Sequence, residues 1–321
     1  MRDKLKVGIY GINGHQIHNK LKNHPDAVIG AVCIPQGRTD MFDSSIPRFE
    51  TLEQMLECAD LDLVSLCSPM RSEQERDALL CLNSKKHVYA EKPAALSEEG
   101  LDRLLKAAKE NGCEFHEMAD TIFYEPYFSA RRLVKQGKIG QVIQVYAQKS
   151  YPSRFESRPS DELTDGGLIR WVGIHAVRFI EHITGIQVSD IVGYETHLGN
   201  GKSEGGIYTA SSLAMTLENG AVASVCLNYL KPAGFKGWGN ECVRIFGDKG
   251  FIEITDGGKG SHIYTDTDEG EIDISDSGCE DYFDLLLKHL RYGAPLPLEE
   301  DEEFHPLRVV IRAKNNAVSV K

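Results

Sequence analysis

The stretch Leu5-Lys6-Val7-Gly8-Ile9-Tyr10-Gly11-Ile12-Asn13-Gly14-His15-Gln16 decides the reading of this chain. Residues 5–10 form a short, mostly apolar run of strand length, and they pass directly into a glycine-containing turn. Small residues in such a turn let backbone N–H groups approach an anion where a helix begins. The literal GxGxxG is absent, because Asn13 and Gln16 stand at the second and third glycine places. A tight strand-to-helix turn with no ligand fits the same residues. A helix is expected from the turn to about Asn23, and a strand over residues 27–34. That second run is almost wholly apolar, as suits a strand buried on both faces of a parallel sheet.

Outward from there the alternation continues. Residues 61–66 read as a strand ending at Cys67-Ser68-Pro69. Ser72, with Glu75 three residues on, has the spacing of a capping box. Residues 87–90 form a strand that runs into Glu91-Lys92-Pro93. Ser97 caps the next helix, whose Leu101, Leu104, Leu105 and Ala108 make one apolar stripe before Asn111-Gly112 ends it. Residues 113–118 are a further strand. Repeated strand–helix units predict a doubly wound parallel sheet over a first domain, residues 1–120.

The pattern changes in the second domain, residues 121–321. A helix is expected near 126–136, a strand at 142–149, a polar loop over 151–164 and an apolar helix over 166–183. Strands then dominate. Asn219-Gly220 between two alternating runs is a strong hairpin signal, and Gly247-Asp248-Lys249-Gly250 joins another pair. Helices near 280–291 and 306–318 close the chain. The five acids of residues 299–303 are expected ahead of the last helix, with Pro306 in its first turn. The class is therefore α/β: a doubly wound parallel sheet, then an α/β domain with a large, mainly antiparallel open sheet and helices on one face.

Composition narrows the function. The chain has 321 residues, with 36 Lys and Arg against 48 Asp and Glu, a formal charge of −12. That argues against a nucleic-acid partner, which needs a basic face, and against docking on an anionic membrane. No apolar run approaches the roughly 20 residues of a membrane span, and the N-terminus lacks the apolar stretch of a signal peptide. None of the eight cysteines forms a CxxC pair, so no metal site is expected. They read as free thiols of a reducing compartment, the cytoplasm.

Three places invite chemistry. The second strand ends at Val32-Cys33-Ile34-Pro35 with no acid for ribose hydroxyls before Asp40. Arg38 there points towards a 2′-phosphate, or else is a solvated loop residue. In open parallel sheets ligands bind outside the carboxyl ends of strands, where Lys92 lies. A lysine there can bind a substrate hydroxyl and stabilise charge during hydride transfer; a salt-bridged surface lysine is the other reading. His175 can take a proton from an alcohol as hydride leaves, or be a satisfied core residue.

Together these motifs resemble the Gfo/Idh/MocA family, which includes glucose–fructose oxidoreductase and myo-inositol dehydrogenase. The resemblance rests on the first turn, Ser68-Pro69, His87-Val88-Tyr89-Ala90-Glu91-Lys92-Pro93, Gly137-Lys138-Ile139-Gly140, the Gly166-Gly167 to His175 segment and Phe246-Gly247-Asp248-Lys249-Gly250-Phe251. It implies a Rossmann domain, then a domain with an open sheet, and NAD or NADP used to oxidise or reduce a sugar-like substrate. It also implies homodimers or homotetramers formed through the second-domain sheet. Gly11, Asn13, Gly14 and Gln16 would line the pyrophosphate, with Arg38, Ser68, Pro69, Glu91 and Lys92 also on the cofactor side. Lys92 would contact substrate and nicotinamide, and His175 would be the general base. Many dehydrogenases of this family carry aspartates four residues before and three after that histidine; here those places are Trp171 and Arg178. The change suggests a substrate that stacks on Trp171 or carries an anion near Arg170 or Arg178. A redox-cycling glycosidase or lyase of the same fold, and a non-catalytic nucleotide- or sugar-binding regulator, are the alternatives.

Overall fold

The run that opens the chain becomes β1 (Leu5–Tyr10), an inner strand of a parallel sheet. The computed structural model describes residues 4–35, 37, 40–118, 120–152, 158–200, 206–237, 239–275 and 277–320. They fall into two compact units, one made of Met1–Ala119, Leu163–Asp165 and Tyr282–Glu299, the other of Asp120–Glu162, Gly166–Asp281 and Glu300–Lys321.

In the first unit β1 is joined by β2 (Ala27–Cys33), β3 (Arg48–Phe49), β4 (Leu63–Leu66), β5 (His87–Ala90) and β6 (Phe115–Glu117). The order is β3-β2-β1-β4-β5-β6 and every pair is parallel. The strand order therefore reverses between β1 and β4, the switch point at which open α/β sheets bind ligands. Val7, Ile9, Leu63, Val64 and Leu66 are fully buried, as the apolar runs require. Helices α1 (Leu52–Cys58), α2 (Gln74–Asn83) and α3 (Glu98–Asn111) connect the strands. Ser97 Oγ accepts the Gly100 N–H at 3.0 Å, and Gly112 ends α3 in the left-handed region.

Two local expectations fail here. The helix expected to reach Asn23 is only a 3₁₀ turn, Ile17–Asn19. The chain turns left-handed at Asn23, φ 56°, two residues before Pro25, so no helix can propagate. The capping box at Ser72 and Glu75 does not form. Arg71–Glu73 winds as a 3₁₀ turn ahead of α2, and Glu73, its N-cap residue, makes no side-chain cap bond. Glu75 binds Arg103 instead, at 2.7 Å. Arg71 is buried and bonded to Gln74 and to the Asn13 carbonyl, and this long-range anchoring overrides the local cap.

The second unit carries β7 (Val142–Pro152), β8 (Val188–Thr196), β9 (Ala210–Leu217), β10 (Val222–Lys231), β11 (Cys242–Gly247), β12 (Gly250–Thr255), β13 (Gly260–Thr265), β14 (Glu269–Glu271) and β15 (Val318–Val320). Their order is β14-β13-β12-β11-β7-β10-β9-β8-β15. Only β7–β10 and β8–β15 are parallel among these pairs. Both expected hairpins form, at Asn219-Gly220 and between the paired Gly247 and Gly250. The helix Gly173–Thr184 packs on β7 and β10, the helix Glu300–Asn316 on β8, and α4 (Tyr127–Lys135) on the first of these. The opposite sheet face exposes Val192, Tyr194 and Leu230. Among the described residues no helix is long and apolar enough to cross a membrane.

Three expectations are corrected in this unit. Tyr151 and Pro152 belong to β7 rather than to the loop. The segment after Gly167 is not one regular helix: Leu168–Val172 winds as a wide π turn, and α-helix begins at Gly173. The last helix starts at Glu300, so the acids form its first turn and Pro306 lies inside it. Proline has no N–H for the carbonyl four residues back, that of Glu302. His182 Nε2 supplies the missing donor at 2.8 Å.

Candidate active site

The turn after β1 is locked to the ends of β2 and β4. Gly11 N–H donates to the Cys33 carbonyl at 2.9 Å, and Asn13 N–H to that of Cys67 at 3.3 Å. Asn13 Nδ2 donates to the carbonyls of Pro69 at 3.0 Å and Thr164 at 2.7 Å. Gln16 folds back, donating to the carbonyls of Tyr10, Gly11 and Ser65. A Cβ on Gly11 would lie 2.0 Å from the Cys67 carbonyl oxygen, and one on Gly14 would lie 2.5 Å from the Glu91 carboxyl carbon. With φ of 64° and 126°, both positions need glycine for conformation as well as for space.

The end of β5 meets this turn. Glu91 accepts the His15 backbone N–H, and its Oε1 lies 3.1 Å from His15 Nδ1. Lys92 Nζ is 4.0 Å from Glu91 Oε1, and the two side chains are 1% and 0% exposed. Gln74 Nε2 donates to the carbonyls of Glu91 and Pro93. Burial alone would raise the Glu91 carboxyl; His15, Lys92 and Arg71 outweigh it and hold it at about 2. Ser68 is buried, with its hydroxyl donating to Asp77 Oδ2 at 2.8 Å. The cluster suits a nicotinamide dinucleotide: a close-packed glycine turn at the switch point, with buried Arg71 and Lys92 as cations beside it.

In the second unit, His175 is the only residue of Gly173–Thr184 that is not buried. Its Nδ1 lies 2.9 Å from Thr121 Oγ1 and its Nε2 3.3 Å from Tyr151 Oη. Trp171 meets the Tyr151 ring edge-on, with centroids 5.4 Å apart. Arg158 lies over both Trp171 and Tyr229, at 5.8 and 3.7 Å. Arg170 Nε donates to the Gly166 carbonyl at 2.9 Å, and its guanidinium is 3.6 Å from Glu162. Arg178 is fully buried, beside His182, whose imidazole is lowered to about 3 by burial and by that arginine.

The expected residues thus gather in two sets. Gly11, Asn13, Gly14, Gln16, Ser68, Pro69, Glu91 and Lys92 lie in the first unit, and Arg170, Trp171 and His175 in the second. Arg38 lies outside the described residues. Sequence reading passed over Arg71, His15, Thr121 and Tyr151. No local pattern marks Tyr151: the burial of the last four residues of β7, Lys149 and Ser150 among them, shows only in the fold.

Comparison with known proteins gives the following. A family model described as an oxidoreductase family with an NAD-binding Rossmann fold matches residues 5–118, and one for the GFO/IDH/MocA C-terminal domain matches residues 127–253. The chain is 26% identical to 2,7-anhydro-N-acetylneuraminate hydratase of Escherichia coli over 262 residues, 78% of this chain and 67% of that protein. It is 22% identical to the scyllo-inositol 2-dehydrogenase (NADP(+)) IolW of Bacillus subtilis, covering 98% of this chain and 94% of the relative. Two further relatives are matched over 56% and 41% of their own lengths. The fold is that of the WlbA dehydrogenase from Bordetella pertussis, solved with NADH and UDP-GlcNAcA, with a TM-score of 0.81 at 17% identity over 98% of this chain and 96% of that one.

Proposed function

The chain belongs to the Gfo/Idh/MocA oxidoreductase family and carries its NAD-binding Rossmann fold, and from that premise we propose that it moves a hydride between a nicotinamide dinucleotide and a sugar, cyclitol or related polyol. The reacting group is a hydroxyl or the matching ketone. The observation that carries this reading is Lys92, a buried ammonium at the carboxyl end of β5 beside the ionised Glu91. A bound nicotinamide supplies the hydride acceptor or donor. The turn of Gly11, Asn13, Gly14 and Gln16, with Ser68, Pro69 and Glu91 next to it, holds the nucleotide. Lys92 binds the substrate oxygen and steadies its developing negative charge. His175 takes the hydroxyl proton. Trp171 offers a face on which a sugar ring can stack, and Arg170 borders it.

Calorimetry with NAD, NADH, NADP and NADPH, followed by cofactor reduction on a panel of polyols, tests the reading. Absence of heat with all four nucleotides overturns it. Arg38→Ala is expected to weaken NADP more than NAD by roughly 1.5–3 kcal/mol, the worth of a charge-assisted contact. Equal loss for both would make Arg38 a plain loop residue.

A second reading has its own support. Trp171 and Arg178 replace carboxylates, and one relative is named a hydratase. Transient oxidation would acidify a neighbouring C–H, allow elimination or water addition, and return the hydride. Turnover of a sugar without net cofactor reduction would identify it.

Two coarser proposals accompany these. Tyr194 and Val192, each 58% exposed on β8, with Leu230 on β10, support pairing of this sheet face with a second copy of the chain. A monomer by light scattering at high micromolar concentration would remove that proposal. The eight free cysteines support a reducing, cytoplasmic setting.

A further inference from the structure

We propose that Tyr151 and His175 form one proton-accepting unit, in which Tyr151 is the positioning residue that serves His175 where the family's aspartates are replaced. The inference rests on the reading of His175 given above. Its ground is geometric: each ring nitrogen of His175 faces a hydroxyl, Thr121 Oγ1 at 2.9 Å and Tyr151 Oη at 3.3 Å. Thr121 is 7% exposed and Tyr151 2% exposed, so both hydroxyls are fixed by packing. The ring between them is the one side chain of its helix that is not buried.

A neutral imidazole has one N–H and one lone pair, whereas an imidazolium has two N–H groups. A carboxylate partner can only accept. A hydroxyl can do either, so it serves both protonation states. With Nδ1–H donating to Thr121, the Nε2 lone pair receives the Tyr151 O–H. When a substrate hydroxyl gives up its proton, its carbon loses a hydride to the nicotinamide and its oxygen becomes a carbonyl. The Tyr151 O–H first turns aside to free the Nε2 lone pair, the substrate proton goes to Nε2, and the Tyr151 oxygen then accepts from the new N–H. The imidazolium then has an oxygen on each side and no added carboxylate is required.

Trp171 cannot take this part, because an indole N–H only donates. Its edge-on contact instead holds the Tyr151 ring. Charged groups near the pair include Lys149, Arg158 and Glu241. Lys149 lies over the Tyr151 ring at 5.4 Å but is paired with Glu241, and Arg158 lies against Trp171. Lys149 thus supplies packing more than a net field. Burial lowers its ammonium, and Glu241 opposes that.

Tyr151→Phe keeps the ring against Trp171 and removes the hydroxyl, so it separates the hydrogen bond from the packing. Two readouts are taken on the full chain. By NMR of the histidine rings, the His175 pKa is expected to fall by about one pH unit in Tyr151→Phe, because the acceptor lost is worth more to the imidazolium than the donor is to the neutral ring. In turnover, kcat is expected to fall about 10- to 100-fold, the loss of one hydrogen bond to a charged group, with KM for the polyol within about twofold. His175→Ala combined with Tyr151→Phe should be no worse than His175→Ala alone, as for residues that act as a unit. An unmoved His175 resonance overturns the pairing. A shifted resonance with kcat intact overturns its part in the reaction. If the wild-type chain transfers no hydride with any polyol, the proposed reaction falls and the NMR measurement still decides whether the pair exists.

Discussion

The surroundings of Lys92 and those of His175 are built on opposite principles. Around Lys92 the partners are charges and amides. Glu91, Lys92, Arg71 and Gln74 are all 0–1% exposed, and bonds from Arg71 and Gln74 tie the turn after β1 to the end of β5. Around His175 the partners are neutral hydroxyls and aromatic rings. A buried charge must stay paired, whereas a hydroxyl partner contributes little net stability. Changes near Lys92 should therefore appear first as lost stability, and changes near His175 as lost rate.

Glu91→Ala puts the most weight on that contrast. It removes the carboxylate beside buried Lys92 and Arg71, and breaking such a cluster typically destabilises by roughly 3–5 kcal/mol. Urea unfolding measures it. A loss no greater than that of Tyr151→Phe would erase the distinction between the two regions. The pH dependence has a definite sign. The folded carboxyl is held at about 2, below its ordinary value of 4.5, so the unfolded chain takes up the proton first. Its stabilisation is fully present above pH 4.5 and is lost as pH falls towards 2.

The two glycines that open these regions give the next largest effect. Gly11 has φ 64° and Gly167 has φ 77° with ψ 174°, a conformation essentially confined to glycine, so an alanine at either position meets backbone strain on the order of 1–3 kcal/mol. The surroundings differ. The new Cβ would lie 2.0 Å from the Cys67 backbone oxygen at position 11, and 2.3 Å from Glu162 Oε1 at position 167. A carboxylate can swing aside, but a carbonyl at the end of an inner strand cannot. Gly11→Ala is expected to lower Tm clearly more than Gly167→Ala. Equal losses would mean that the Cys67 segment yields.

What the sequence made legible follows the same division between local and distant causes. β1, β2, the Ser97 cap with its Gly112 stop and the Asn219-Gly220 hairpin are set by neighbours within a few residues, and all of them form. Ser72 has a good local pattern, yet Arg71 reaches 58 residues back to the Asn13 carbonyl and rewinds the turn. Pro306 sits inside a helix because His182, distant in sequence, occupies the carbonyl it leaves open. The strands β3, β14 and β15 are two or three residues long, too short for any periodicity to show. Of the candidate sites, the motif residues could be named from the first turn, the strand ends and the family resemblance. Thr121 and Tyr151 could not, since their contacts with His175 cross 54 and 24 residues.

His182 carries the buried-charge principle into the second unit. Its imidazole is held at about 3 by burial and by Arg178, with Arg131 adding to the effect. The folded value lies below the unfolded 6.5, so the unfolded chain binds the proton first as pH falls. Stability is expected to decline between pH 6.5 and about 3, by at most about 1.4 kcal/mol per pH unit from this group. His182→Gln retains a donor for the Glu302 carbonyl and has no proton to bind. Its stability profile should be flatter over that range, with a residual slope from His87, which burial also lowers. An unchanged slope in thermal melts would assign the decline to other groups.

Thr121→Val is the mildest change and bears most directly on the contrast. It keeps the branched shape of a residue 7% exposed and removes the hydroxyl at 2.9 Å from His175 Nδ1. A neutral hydrogen bond of this kind contributes about 1 kcal/mol, so unfolding should shift by that amount and no more. The rate should respond further. Without the oxygen, Nδ1–H loses this acceptor when the ring becomes imidazolium, the state in which the bond is strongest. A kcat loss of about tenfold with a stability loss near 1 kcal/mol is the expected outcome. If the stability loss instead approached that of Glu91→Ala, the hydroxyls around His175 would be holding a charge in the resting protein. The two regions would then obey one principle.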